Sequence, residues 1–223
     1  MKITRKIFWA VYILLVLLFI QPIFTNVFSL YVAGRSSLTL VILDLIQRIS
    51  GALAFFILFV QILVGAYPKK FASFLGKTGE KLHFRQGKII YFLVLLHLGS
   101  FLLFNFVSKH IFDPFYVLTD FCVLCQTKEE LFYSFGRFGF WLLTLTMAAA
   151  LLRDKDWWRE NWHYFHLFNY FLFFLIAAHA LFIARDFSRP GYLFYLALVL
   201  TVVVFLTVLE KFFSWFKRNF RWR

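Results

Sequence analysis

The chain has 223 residues, of which 62% are hydrophobic and 23% aromatic, and its mean hydropathy is +0.76. Soluble domains are only about half apolar, so this composition excludes a soluble globular protein. It indicates a chain that lies mostly within a lipid bilayer. The loops between the apolar stretches are too short to hold a second domain, so residues 1–223 are predicted to form a single transmembrane domain.

Apolar stretches long enough to cross a hydrocarbon core of roughly 30 Å recur along the chain. They predict an all-α fold, a bundle of six transmembrane helices at about 7–25, 40–66, 88–107, 137–152, 164–184 and 191–212. The first stretch resembles a signal peptide, but its apolar run continues to Phe24 without a clear small-x-small cleavage site. We therefore expect it to be retained as the first helix.

The net charge of +13 comes from basic clusters that lie next to the apolar stretches. The positive-inside rule then predicts that both termini and residues 67–87 and 153–163 are cytoplasmic. The residues that support this orientation are Lys2, Arg5, Lys6, Lys69, Lys70, Lys77, Lys81, Arg85, Arg153, Lys155, Arg159, Lys211, Lys217, Arg218, Arg221 and Arg223. The predicted outer loops hold Arg35, Lys109, Lys128, Arg185 and Arg189, with Arg137 at a helix mouth.

A basic cytoplasmic face beside anionic lipid explains the charge without nucleic acid. The same charges would also suit an acidic soluble partner. The predicted location is the plasma or inner membrane of a prokaryote.

Four of the six histidines lie within two of the predicted spans or at their cytoplasmic mouths. His83 and His97 are fourteen residues apart, about 21 Å of helix rise, and His166 and His179 are thirteen apart, about 20 Å. Each helix therefore presents one histidine at its cytoplasmic mouth and one deeper, at matching heights. Histidine is costly inside a bilayer and marks a functional site there by default.

Neutral imidazoles on facing helices are what six-coordinate haem iron takes as axial ligands. Two such levels would make a path for electrons across the membrane. On an ideal helix, fourteen residues return to within about 40° of the starting face, whereas thirteen leave about 140°. The spacing therefore supports His83 and His97 by depth and face, but His166 and His179 by depth alone. His163 fits no better and remains the alternative to His166; His110 is interpreted as a surface residue.

Two runs resemble the ferric reductase-like transmembrane domains. The run LHFRQG at 82–87, followed by Leu96-His97, is similar to the third helix of that family, and the run from Trp162 to His166, with Tyr170 and His179, is similar to its fifth helix. The resemblance extends from about Gly51 to Ala184. The family includes NADPH oxidases, ferric reductases and the haem subunit of a bacterial methionine sulfoxide reductase system.

This resemblance implies two b-type haems, with His83 and His166 as axial ligands of an inner haem and His97 and His179 as those of an outer one. It implies a di-haem cytochrome that carries electrons to an acceptor, such as a protein, on the outer side. The sequence ends about ten residues after the sixth span, without the flavin and nicotinamide domains of the oxidases. We therefore expect a separate cytoplasmic flavoprotein, or a quinol, as the donor. The alternative is a non-redox transporter or an assembly scaffold whose histidines are incidental.

Several basic residues are candidates for binding haem propionates. Arg48 lies within the second span and needs an anion there. That anion is either a propionate of the outer haem or Asp44, four residues away on the same helix face, and both interactions can hold. Arg137 is a second outer candidate. Arg85 and Lys88 are inner ones, although an interfacial position is the simpler interpretation of both.

The two cysteines, Cys122 and Cys125, form a CxxC motif in the longest outer loop. Attachment of a c-type haem would need histidine next, and residue 126 is glutamine. A zinc site would need two further ligands, and His110 is the only histidine nearby. A structural disulfide, an electron relay and no oxidised role all remain open.

Overall fold

The structure is a computed structural model, which describes residues 2–76, 78–122 and 124–219 except for the side chains of 2–4, 74, 78, 80, 218 and 219. Over these residues the chain forms seven helices and no strand, which confirms the all-α prediction. The helices are α1 (Lys2–Val32), α2 (Leu38–Ala66), α3 (Pro68–Leu75), α4 (Thr78–Lys109), α5 (Lys128–Leu152), α6 (Asp156–Ile183) and α7 (Tyr192–Asn219). Of the residues used to predict the orientation, Lys77, Arg221 and Arg223 lie outside the described residues, as does Val123 of the CxxC motif.

Six of the described helices are long and apolar enough to cross a membrane. Their spans are Arg5–Val32, Leu38–Ala66, Lys81–Lys109, Lys128–Leu152, Asp156–Ile183 and Tyr192–Lys217. Large apolar side chains are exposed along them, including Phe92 on α4 and Phe182 on α6. Such faces are stable in lipid rather than in water, so the fold fits an integral membrane protein.

Several helices begin earlier than hydropathy predicts. The helix α4 begins at Thr78 rather than near 88, α5 at Lys128 rather than 137, and α6 at Asp156 rather than 164. Polar residues in these first turns lower the hydropathy but do not interrupt backbone hydrogen bonding. At α5 a capping box sets the start: the Thr127 hydroxyl accepts from the Glu130 N–H at 3.3 Å, and the Glu130 carboxylate accepts from the Thr127 N–H at 3.4 Å.

The helix α3 lies in a segment that hydropathy indicated only as an inner loop. Its start has Pro68 in the first turn, where a missing N–H costs nothing. It ends at Gly76, whose φ of +60° favours glycine.

Proline 22 lies inside α1 without ending it. Because proline has no N–H, the carbonyl of Leu18 loses its partner within the helix. The hydroxyl of Tyr192, at the start of α7, donates to that carbonyl at 2.6 Å. The helix therefore continues to Val32, through residues that hydropathy assigned to an outer loop.

The helices around the histidines form two closely packed pairs. The helix α2 packs along α4, and α5 packs along α6, whereas contacts between the two pairs are fewer. Cavities remain between the pairs at two levels. Since α4 carries His83 and His97 and α6 carries His166 and His179, this packing places a histidine from each pair at each level.

Candidate functional site

Each of the two cavities is lined by one histidine of α4 and one of α6. The inner cavity, with His83 and His166 in its wall, has a volume of about 890 Å³. The outer cavity, with His97 and His179 in its wall, has a volume of about 300 Å³. Both volumes lie in the range of about 300–1,000 Å³ that is usual for small-molecule and cofactor sites.

The outer histidines are held in the same way on opposite sides of their cavity. The Nδ1 atom of His97 donates to the backbone carbonyl of Gln47 on α2 at 2.7 Å, and that of His179 donates to the carbonyl of Phe132 on α5 at 2.9 Å. A carbonyl only accepts, so each Nδ1 carries the proton and the neutral ring has its lone pair on Nε2. Both rings are therefore in the tautomer that binds a metal through Nε2.

A glycine makes each of these contacts possible. Gly51 follows Gln47 by four residues and Gly136 follows Phe132 by four, so each glycine lies one turn after the accepting carbonyl. A Cβ atom at Gly51 would lie 2.8 Å from Nδ1 of His97, and one at Gly136 would lie 2.7 Å from Nδ1 of His179. No real Cβ contact is that short, so any larger residue would displace the imidazole.

The inner histidines face each other directly. The ring centroids of His83 and His166 are 5.8 Å apart, with the ring planes at 68°. Imidazole–metal bonds are about 2 Å long, so a metal between two rings separates their centroids by about 6 Å. His163, the alternative ligand, is exposed, and the centroid of its ring lies 4.1 Å from that of Tyr164, with the ring planes at 37°. His166 is therefore the histidine of α6 that faces His83.

His83 is packed against a glycine like the outer histidines, but its hydrogen bonding is incomplete. A Cβ atom at Gly65 would lie 3.2 Å from Cε1 of His83. The Nδ1 atom of His83 is buried and has no hydrogen-bond partner among the described residues. A buried polar nitrogen without a partner is costly, and His83 is one of the residues that line the inner cavity.

His166 is held by a side chain instead of a backbone carbonyl. Its Nδ1 lies 3.2 Å from Nδ2 of Asn169, one turn later on α6. The Oδ1 atom of Asn169 accepts from the Thr146 hydroxyl of α5 at 3.1 Å. On α2, Gly65 follows Gly51 by fourteen residues. On α5, the residue that follows Gly136 by fourteen is Ala150, so the corresponding position of α5 is not a glycine.

Arg48 borders the outer cavity and already has two carboxylate partners. Its Nε and Nη2 atoms both donate to Asp186, which lies between α6 and α7, and its Nη1 donates to Asp44 at 3.1 Å. The side chains of Arg48 and Asp186 are only 10% and 4% exposed. The pairing with Asp44 is the one that the sequence indicated, whereas Asp186 is distant in sequence and gave no signal.

Arg137 is a buried cation in the wall of the outer cavity, without an acidic partner in the described part of the chain. Its Nη1 donates to the backbone carbonyl of Asp120 at 2.7 Å, and its guanidinium lies 4.1 Å from the ring centroid of Tyr116. Its Nε atom is buried and unpaired. Burial also raises the pKa of the Tyr116 hydroxyl above its usual value, so this residue stays a neutral aromatic support.

The inner basic candidates differ in position. Lys88 borders the inner cavity, with its Nζ 4.7 Å from the ring centroid of Phe84. Arg85 is exposed and does not line that cavity.

Cys122 and Cys125 form a disulfide bond. The N–H of Cys122 donates to the hydroxyl of Ser134 on α5 at 3.2 Å, which ties the disulfide loop to the helix that carries Arg137. These contacts fit a structural role for the disulfide, and a role as an electron relay remains a hypothesis.

Comparison with known proteins does not assign the chain to a family. A scan against protein-family models found no match, and a search of curated proteins found none. Over the residues that the structure describes, no group of three or more His, Cys, Asp or Glu side chains could hold a metal ion. Haem iron takes two protein ligands rather than three, and two of the histidines line each cavity.

Sequence reasoning identified the four histidines but missed the residues that orient them. The glycines gave a usable signal, because Gly51 and Gly65 have the same fourteen-residue spacing as His83 and His97. Asn169 gave a weaker signal, because it is a polar residue one turn after His166 in an otherwise apolar stretch.

Proposed function

We propose that this chain is a di-haem b-type cytochrome that carries electrons across the membrane, as the ferric reductase-like transmembrane domains it resembles do. One observation carries the proposal: His97 and His179 line one cavity from opposite helix pairs, and both hold Nδ1 on a backbone carbonyl. That arrangement fixes the neutral tautomer with Nε2 free for iron. A histidine buried only for packing needs no such matched orientation.

In this proposal His97 and His179 hold the outer haem, and His83 and His166 hold the inner one. The haems supply one-electron redox chemistry, and the protein supplies ligands, charge and a dry environment. Leu58, Ile90 and Leu143 line both cavities. These apolar side chains would separate the two haems and exclude water between them.

Arg137 is the better-supported partner for a propionate of the outer haem. Its buried guanidinium has no anionic partner among the described residues and borders the cavity, and a carboxylate is the natural complement of such a group. Arg48 remains a second candidate, but Asp44 and Asp186 already balance its charge. Lys88 is the inner candidate that borders its cavity.

The proposed orientation places both termini in the cytoplasm, because the basic residues cluster on that side. The electron donor would be a cytoplasmic flavoprotein or a quinol, and the acceptor would lie on the outer side, in the plasma membrane or the inner membrane of a prokaryote. The basic cytoplasmic face would serve anionic lipid or an acidic donor protein rather than nucleic acid.

The direct test is the haem content of protein purified in detergent from haem-replete cells. We expect a low-spin b-type optical spectrum and about two haems per chain. His97→Ala or His179→Ala should remove the outer haem first and leave about one. The exposed histidines provide matched controls, since His110→Ala and His163→Ala should retain both haems. A colourless preparation would contradict the proposal and favour a transporter or scaffold with incidental histidines.

A further inference from the structure

The contacts of His166 set it apart from the other three histidines. The Nδ1 atoms of His97 and His179 donate to backbone carbonyls, which cannot rotate. His166 contacts the amide of Asn169, and a side-chain amide exchanges its oxygen and nitrogen by a half-turn. The inner site therefore has one ligand whose hydrogen-bond partner has two positions.

In the observed position the amide nitrogen faces His166. Nδ2 of Asn169 donates to the backbone carbonyl of His166 at 2.9 Å and lies 3.2 Å from its Nδ1. A donor at that place makes Nδ1 the acceptor, so the neutral ring carries its proton on Nε2. A ring in this tautomer does not offer Nε2 to a metal.

The neighbouring Thr146 permits the opposite position. Its hydroxyl lies 3.1 Å from Oδ1 of Asn169 and also 3.1 Å from the backbone carbonyl of Leu143. If the amide turns, Nδ2 donates to the Thr146 oxygen, and the Thr146 proton goes to Leu143. Oδ1 then accepts from Nδ1 of His166, and the amide must also tilt away from the His166 carbonyl, whose oxygen lies 2.9 Å from the present position of Nδ2.

We propose that Asn169 and Thr146 form a two-position amide relay that sets which nitrogen of His166 is available for binding. In one position the ring carries its proton on Nε2 and does not bind; in the other it carries the proton on Nδ1 and binds through Nε2. Asn169 is thus a positioning residue that acts through His166. The inference rests on the proposed haem at His83 and His166, and it makes the inner site the adjustable one.

Substitutions at Asn169 separate the two positions. Asn169→Asp places an acceptor beside Nδ1 permanently, so the inner haem should be retained and its midpoint potential should fall, because a stronger acceptor makes the imidazole more basic. Asn169→Leu removes the acceptor, and the affinity for the inner haem should fall about 10- to 100-fold. Thr146→Val removes the partner of the amide in both positions, so neither is favoured over the other and the loss should be smaller. Redox titration and haem content of the full chain measure these effects.

The chain offers matched controls for both substitutions. Asn161, on the same helix, donates to the Trp157 carbonyl at 2.8 Å and contacts no histidine. Thr201 on α7 bonds its own helix through the Ala197 carbonyl at 2.8 Å. Asn161→Leu and Thr201→Val should leave both haems and both potentials unchanged.

A second measurement does not depend on bound haem. In protein from haem-depleted cells, nitrogen NMR of labelled histidine should report His166 as the Nε2–H tautomer, and Asn169→Asp should convert it to the Nδ1–H tautomer. The relay is overturned if His166 keeps one tautomer in both proteins. It is also overturned if Asn169→Leu retains the affinity for the inner haem, or if Asn161→Leu lowers that affinity as much as Asn169→Leu does. Wild-type protein without haem would instead contradict the proposed function, while the NMR result would still decide the relay.

Discussion

At the scale of single residues, two glycines determine whether the outer histidines can reach their backbone acceptors. Gly51→Ala and Gly136→Ala would each place a methyl group within 2.8 Å of an imidazole nitrogen. Overpacking of this kind typically costs about 1–3 kcal/mol. Here we expect the ring to move instead, so both variants should lose outer haem while the inner haem stays.

Gly99 supplies the control for this prediction. It lies in α4 two residues after His97, and a Cβ atom there would meet nothing within 4 Å. Gly99→Ala should keep both haems and gain slight helix stability. Haem content distinguishes the variants, and equal losses in all three would contradict the role given to Gly51 and Gly136.

Asp186 is expected to be important for stability, since its carboxylate pairs with the nearly buried guanidinium of Arg48. Asp186→Ala would leave Arg48 with Asp44 alone, and the loss of hydrogen bonds between charged groups should cost about 1.5–3 kcal/mol, less than a fully unpaired buried charge would. Asp154→Ala removes an exposed partner, 91% accessible, from Arg153 and should cost under about 1 kcal/mol. Denaturation in mixed detergent micelles measures both, and similar costs would contradict the importance of the Arg48 pair.

At the scale of helices, the hydrogen bond from the Tyr192 hydroxyl of α7 to the Leu18 carbonyl of α1 depends on Pro22. Tyr192→Phe leaves the Leu18 carbonyl without a donor in an apolar surrounding, which should cost about 1–3 kcal/mol. In a Pro22→Ala background the helix supplies its own N–H, so the same substitution should cost clearly less. A double-mutant cycle in detergent measures the coupling. Equal costs in the two backgrounds would show that Tyr192 does not replace the missing backbone donor.

Hydropathy predicted that six apolar helices exist, but it did not predict where they begin. The first turns of α4 and α6 are polar, so they lie outside any apolar window although the backbone continues as helix. The start of α5 was readable from Thr127 and Glu130, because a capping box has a local signature. The passage of α1 through Pro22 was not readable, since it depends on Tyr192 in a distant helix.

At the scale of the whole molecule, the sequence predicts the depth of the four histidines but not their partners. The thirteen-residue spacing of His166 and His179 leaves them on different faces of an ideal helix. The structure accommodates this because the two rings leave α6 toward different neighbours. His179 bonds to Phe132 of α5, whereas His166 bonds to Asn169 of its own helix. Contacts between helices of this kind depend on packing, which a single sequence does not reveal.

The two helix pairs, α2 with α4 and α5 with α6, together line both the inner and the outer cavity. Each pair holds one wall of both cavities, with the histidines of α4 on one side and those of α6 on the other. In the proposed function, the inner and outer sites are therefore two levels of one electron path with separable ligands.

The most direct test of this central claim is low-temperature EPR of the ferric protein. We expect two low-spin signals of bis-imidazole haem in the wild-type chain. His97→Ala should remove one of them and His83→Ala the other. A spectrum without low-spin haem, or one in which neither substitution changes a signal, would contradict the assignment of the histidine pairs as ligands.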